Sequence, residues 1–82
     1  NNRGNRTAAE ALIASASEAE SIVRQNMVNY IVLCPQHAEL GYVREFGPKG
    51  LGAGLADGIT PEWLERLSGV KHPVQVFRLR NL

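Results

Sequence analysis

Met27-Val28-Asn29-Tyr30-Ile31-Val32-Leu33-Cys34-Pro35 is an almost unbroken apolar run with a proline stop. Runs of this kind belong to strands covered on both faces inside an α/β sheet. Only one other stretch reads as a clear strand, Val74 to Arg80. Two strands make a marginal sheet. The sequence therefore predicts an α/β fold, a small two-layer α–β–α–β fragment whose sheet is incomplete on its own. In that reading Val28–Cys34 is interior. Arg78 and Arg80 share one face of the last strand and mark it as a solvated edge that discourages further pairing.

Around these strands the patterning predicts two helices. Thr7-Ala8-Ala9-Glu10 has the spacing of a capping box. Ala8, Leu12, Ala16, Ala19 and Val23 then follow a 3.6-residue period, so Thr7 to Gln25 reads as one amphipathic helix with a small, alanine-rich face. Asn26 is a helix stop. Gln36 to Leu40 has room for one helical turn. Gly41 to Gly58 reads as a glycine-rich loop, since it holds six of the eight glycines. Thr60-Pro61-Glu62-Trp63 has the grammar of a second helix start, with Thr as N-cap and Pro at the first helical position. Leu64 and Leu67 continue its apolar side to a stop at Gly69.

Eighty-two residues make a single small domain, 1–82, with a thin core. A chain this short buries only about 60–65% of the surface that its unfolded form exposes. With 44% hydrophobic and 21% charged residues, the composition argues against wholesale disorder. A net charge of +1, with Arg44, Lys49, Arg66, Lys71, Arg78 and Arg80 scattered among acids, is a poor footprint for nucleic acid. A lone cysteine excludes an internal disulfide framework. Asn1 to Arg6 is polar, no signal-like apolar segment follows, and no initiator methionine opens the chain. These features raise the expectation of a piece of something larger: a fragment, a subunit or the soluble tail of a longer protein.

Three constellations could carry chemistry. Gly47-Pro48-Lys49-Gly50-Leu51-Gly52-Ala53-Gly54 invites a phosphate-loop reading, but Lys49 precedes the later glycines and no Lys-Ser/Thr pair follows. Cys34, His37 and Glu39 could form a thiol–imidazole pair or metal ligands. Zinc needs three or four ligands, and His72 is remote in sequence. A Cys–His nucleophile also needs an orienting third group. Cys34 therefore reads as a small core hydrophobe. Asn5-Arg6-Thr7 matches a glycosylation sequon, which matters only in a eukaryotic secretory setting. No catalytic, cofactor-binding or metal-ligating residue is assigned, and no cofactor is expected.

The segments together resemble the extreme C-terminus of bacterial polytopic membrane proteins of the polyprenyl-phosphate-sugar glycosyltransferase type. The carrying features are the Asn/Arg-rich lead, the alanine-rich helix, Asn29-Tyr30-Ile31-Val32-Leu33-Cys34-Pro35, Pro61-Glu62-Trp63-Leu64 and Val74-Gln75-Val76-Phe77-Arg78-Leu79. The resemblance implies an accessory, non-catalytic domain on the extracytoplasmic (periplasmic) face of the inner membrane. Its partner would be the membrane portion of the parent protein. No catalytic residue carries over. The alternative is a free-standing interaction module that completes its sheet by self-association, as a homo-oligomer through a sheet edge, or with another partner.

Overall fold

Among the residues described by the computed structural model, 2–34, 38–69 and 71–81, helices form more often than the patterning predicts. The order is α1 (Asn2–Ile13), α2 (Ala16–Gln25), β1 (Tyr30–Leu33), α3 (Ala38–Phe46), α4 (Leu51–Ala56), β2 (Leu64–Arg66) and β3 (Gln75–Leu79). The mixed α/β class and the open sheet stand. The expected four-element order becomes ααβααββ.

The helix expected over Thr7–Gln25 is two helices, and Thr7 lies inside the first rather than at its cap. The break falls at Ala14-Ser15. Ser15 is the working N-cap: its Oγ accepts the Glu18 N–H at 3.3 Å and donates to the Glu18 carboxylate at 2.9 Å. The apolar period runs through the break because both helices face one core. Ala11 and Leu12 are buried from α1, Ala19 and Val23 from α2. At the far end of α2 the Met27 N–H donates to Arg24 O and the Val28 N–H to Val23 O, with Met27 at φ 56°. This is the six-to-one, five-to-two bonding of a Schellman motif, with Asn26 as C-cap. It turns the chain directly into β1.

The sheet is antiparallel in the order β1-β3-β2. The two strands read from sequence do pair, Tyr30 opposite Arg78 and Leu33 opposite Gln75. Their places are exchanged: β3 is central, and β1 is an edge. Period-two alternation sends Ile31, Leu33, Gln75, Phe77 and Leu64 to the inner face. There Leu33, Leu64 and Phe77 join Leu12, Val23, Val43, Leu51 and Leu55 of the helical layer in one core. Tyr30, Val32 and Arg78 point outward and are exposed. Arg78 is neutralised on that face by Glu65 of β2, so its charge marks a wet face and not a sheet edge.

Two further expectations are corrected. The helix expected from Thr60 is a turn at Glu62-Trp63 that leads into β2. Three residues suffice as a strand because β3 supplies the ladder and Arg66 anchors the inner side. The Arg66 guanidinium donates to Gln75 Oε1 at 2.9 Å and Leu55 O at 3.2 Å, 4.7 Å above the Phe77 ring. The glycine-rich stretch Gly41–Gly58 carries α3 and α4. Three of its glycines serve close approach. A Cβ on Gly47 would stand 2.6 Å from Ile13 Cα, and one on Gly50 would stand 2.5 Å from Ile13 O. On Gly52 it would meet Val43 Cγ1 at 2.7 Å. With these side chains missing, the turn before α4 lies against the α1–α2 break, and the Leu51 N–H reaches Ala14 O at 2.8 Å.

Candidate functional site

The open edge of β1 is set by the phase of its ladder. The Leu79 N–H donates to Asn29 O at 3.0 Å, so Asn29, Ile31 and Leu33 direct their backbone groups toward β3. Tyr30 and Val32 then direct theirs away from the sheet. The edge at β2 is handled differently. Leu64 and Arg66 are the residues that face outward there, and the groups of Leu64 are engaged: its N–H bonds Pro61 O at 3.1 Å and its O accepts Arg80 Nε at 3.3 Å. The β2 edge is engaged at Leu64 by its own neighbours and a cation, whereas among the described residues the outward groups of both Tyr30 and Val32 have no partner.

Beside the β1 edge lies a cavity of about 610 Å³. Its walls include Ala8, Ala11 and Leu12 of α1, Val23 of α2, Met27 and Ile31. Met27, Tyr30 and Val32 are 87, 56 and 56% exposed. The segment Gln25 to Cys34 contains no charged residue. The neighbouring Arg24 is occupied, donating to Glu20 and to Arg80 O at 3.0 Å each. Met27 is also in the left-handed region, where glycine or asparagine is usual and a side chain costs about 1–2 kcal/mol. A large apolar side chain is thus held at the groove rim in a conformation that local stability disfavours, which is a common property of functional positions.

The residues weighed for chemistry do not converge. Cys34 is exposed, not in the core, because β1 ends at Leu33 and the chain leaves the sheet there. Pro35, Gln36, His37 and the Glu39 side chain lie outside the described residues. His72 is exposed and accepts the Val74 N–H on Nδ1 at 3.1 Å within its own turn. Among the described residues no three His, Cys, Asp or Glu side chains form a group able to hold a metal. Lys49 is exposed. Two of the N–H groups that a phosphate would need are committed elsewhere, Gly50 to Gly47 O and Leu51 to Ala14 O. Asn5-Arg6-Thr7 lies within α1. Arg44 bonds Asp57 at 3.0 Å; that bond and the opposite charge of each partner hold the Asp57 carboxyl below its ordinary range and the guanidinium above its own. This pair joins α3 to the end of α4, away from the groove. No helix among the described residues is long and apolar enough to cross a membrane.

Sequence reasoning located Tyr30–Leu33 and missed its exposure. The available signal was the alternation within the run: Ile31 and Leu33 share the face of Phe77, while Tyr30 and Val32 share that of Arg78. What this arrangement can do is add a strand and bury apolar side chains. No family model matches the chain, no curated protein matches it, and no solved structure matches it.

Proposed function

We propose that this domain is a non-catalytic interaction module whose sheet is extended at β1 by a strand from another polypeptide. The observation that carries the reading is the pair of outward-facing backbones at Tyr30 and Val32 beside an uncharged groove. Strand addition supplies main-chain hydrogen bonds, and an adjacent pocket supplies side-chain selectivity. Natural edges are usually blunted by lysine, proline or bulges, and none of these occurs at Tyr30–Leu33. Amide hydrogen exchange by NMR on the dilute chain tests the premise. Ile31 and Leu33 amides are expected to be protected, and Tyr30 and Val32 amides to exchange near the unprotected rate. Equal protection of all four at every dilution would mean that the edge is covered from within, and would overturn the reading.

A second proposal names the partner as the membrane portion of a bacterial glycosyltransferase-like parent protein on the extracytoplasmic face. Its support is the resemblance at Asn29–Pro35, Pro61–Leu64 and Val74–Leu79. The open reading frame upstream of Asn1 tests it. Several apolar spans of about 20 residues are expected there, and their absence would overturn this assignment while leaving the module reading in place.

A further inference from the structure

We propose that the strand completing the sheet is β1 of a second copy of this chain, antiparallel across a two-fold axis at Ile31. The proposal rests on the module reading above and names its partner. Four observations carry it.

The first is ladder phase. Only Tyr30 and Val32 direct backbone groups outward within β1, so a two-fold pairing that bonds both must set Tyr30 opposite the partner's Val32. Four hydrogen bonds then form, two N–H donations in each direction. This register places an aromatic beside a β-branched side chain twice on the outer face, a favourable cross-strand combination. It also sets half-buried Ile31 against the partner's Ile31 on the inner face. The second observation is charge. Gln25 to Cys34 carries none, so a second copy meets no like charge, which would otherwise oppose self-pairing.

The third is area. Met27, Tyr30 and Val32 are each more than half exposed. Covering them in both copies adds apolar burial to the main-chain bonds, on a patch far smaller than the roughly 20–30 residues a side of a standard interface. That predicts a weak dimer. The fourth is closure. Each copy has both outward residues of its β1 edge open, whereas at β2 Leu64 is engaged by Pro61 and Arg80 and Arg66 alone is left facing outward. Pairing β1 with β1 uses the same edge in both copies, a closed isologous contact that gives a dimer with a six-stranded sheet.

The test is sedimentation equilibrium across the micromolar range on the wild-type chain and on two variants, with a crosslinking arm. Wild type is expected to dimerise. Val32→Pro removes an N–H that points away from β3, so the fold should persist by circular dichroism while dimer affinity falls at least about tenfold. Met27→Gly relieves the left-handed residue and removes the rim side chain. It should raise the melting midpoint of the dilute monomer yet weaken the dimer, a pair of opposite signs that a merely structural role would not produce. Ile31→Cys in a Cys34→Ser background should form an interchain disulfide on oxidation, because directly opposed non-bonded residues have Cα atoms about 4.5 Å apart, within disulfide reach.

A wild-type dimer with no such disulfide, or one indifferent to Val32→Pro, overturns the proposal. So does a wild-type monomer at hundreds of micromolar. In that case fast exchange at the Tyr30 and Val32 amides leaves the module reading standing with a different strand as occupant. Protected amides in the monomer overturn both.

Discussion

Gly47→Ala puts the glycine explanation at risk. The new Cβ would stand 2.6 Å from both Ile13 Cα and Ile13 O, whereas carbon contacts are comfortable at about 3.5–4.0 Å. Both obstacles are backbone atoms, so no side chain can swing aside. The turn must retreat by nearly 1 Å, which draws the Leu51 N–H off Ala14 O, now 2.8 Å away, to the limit of a hydrogen bond. Overpacking costs about 1–3 kcal/mol and the weakened bond up to about 1 more. The reduced freedom of the unfolded chain returns about 0.4–1 kcal/mol. The net loss is about 2 kcal/mol, a sizeable share of the 4–12 kcal/mol that a domain of this length commands. Gly41→Ala is the control. It lies in α3, with nothing within 4 Å of its Cβ position, and helix propensity favours alanine by about 0.5–1 kcal/mol. At about 4–8 °C per kcal/mol, thermal melts should show Gly47→Ala lower by roughly 8–16 °C and Gly41→Ala higher by a few degrees. Two substitutions that raise the midpoint together would refute the close approach of this turn to the α1–α2 break.

Leu33→Ala should cost about 2–5 kcal/mol by urea unfolding, because Leu33 is 5% exposed and sits in the core; an unchanged midpoint would place that side chain outside it. The Asp57 carboxyl has its folded pKa lowered, first by the Arg44 hydrogen bond and then by its charge. The unfolded state therefore binds more protons at acid pH, and the stabilisation is present above the ordinary carboxylate range and lost as pH falls below about 4. The melting gap between wild type and Asp57→Asn should accordingly be small, as for any exposed pair, and should close on acidification. A gap constant down to the acid limb would show that Asp57 is not held by Arg44 in solution.

What was legible in the sequence was the apolar density of Tyr30–Leu33 and Val74–Leu79, which sufficed to pair those strands. Which strand is central was not legible, because edge position depends on β2. Three residues, Leu64 to Arg66, hold no periodicity of their own and are strand only through β3. The capping grammar of Thr60-Pro61-Glu62 is local and lost to that pairing, an ordinary override of propensity by tertiary structure. Glycine misled for a related reason. Gly52 lies within α4, at a position that intrinsic preference disfavours, because Val43 Cγ1 and Leu12 O leave no room for a Cβ. The candidate site was half legible. Its strand stood out, but its openness depends on the register with β3 and its rim on Met27 adopting a left-handed turn, and neither leaves a mark in composition.

The central strand follows both of its neighbours in chain order, and this sets a sequence of events during synthesis. Tyr30 waits for Arg78 and Leu33 for Gln75, 48 and 42 positions downstream. At about 5–20 residues per second that is an interval of roughly 2–10 s. Throughout it the apolar β1 segment exists without its ladder, while α1 and α2 precede it and α3 and α4 are added and can pack on them before β3 is made. The helical layer thus becomes the nursery of the sheet, shielding Ile31 and Leu33 until β3 arrives. Among nascent chains on one message, the same interval is when β1 segments are most exposed to one another.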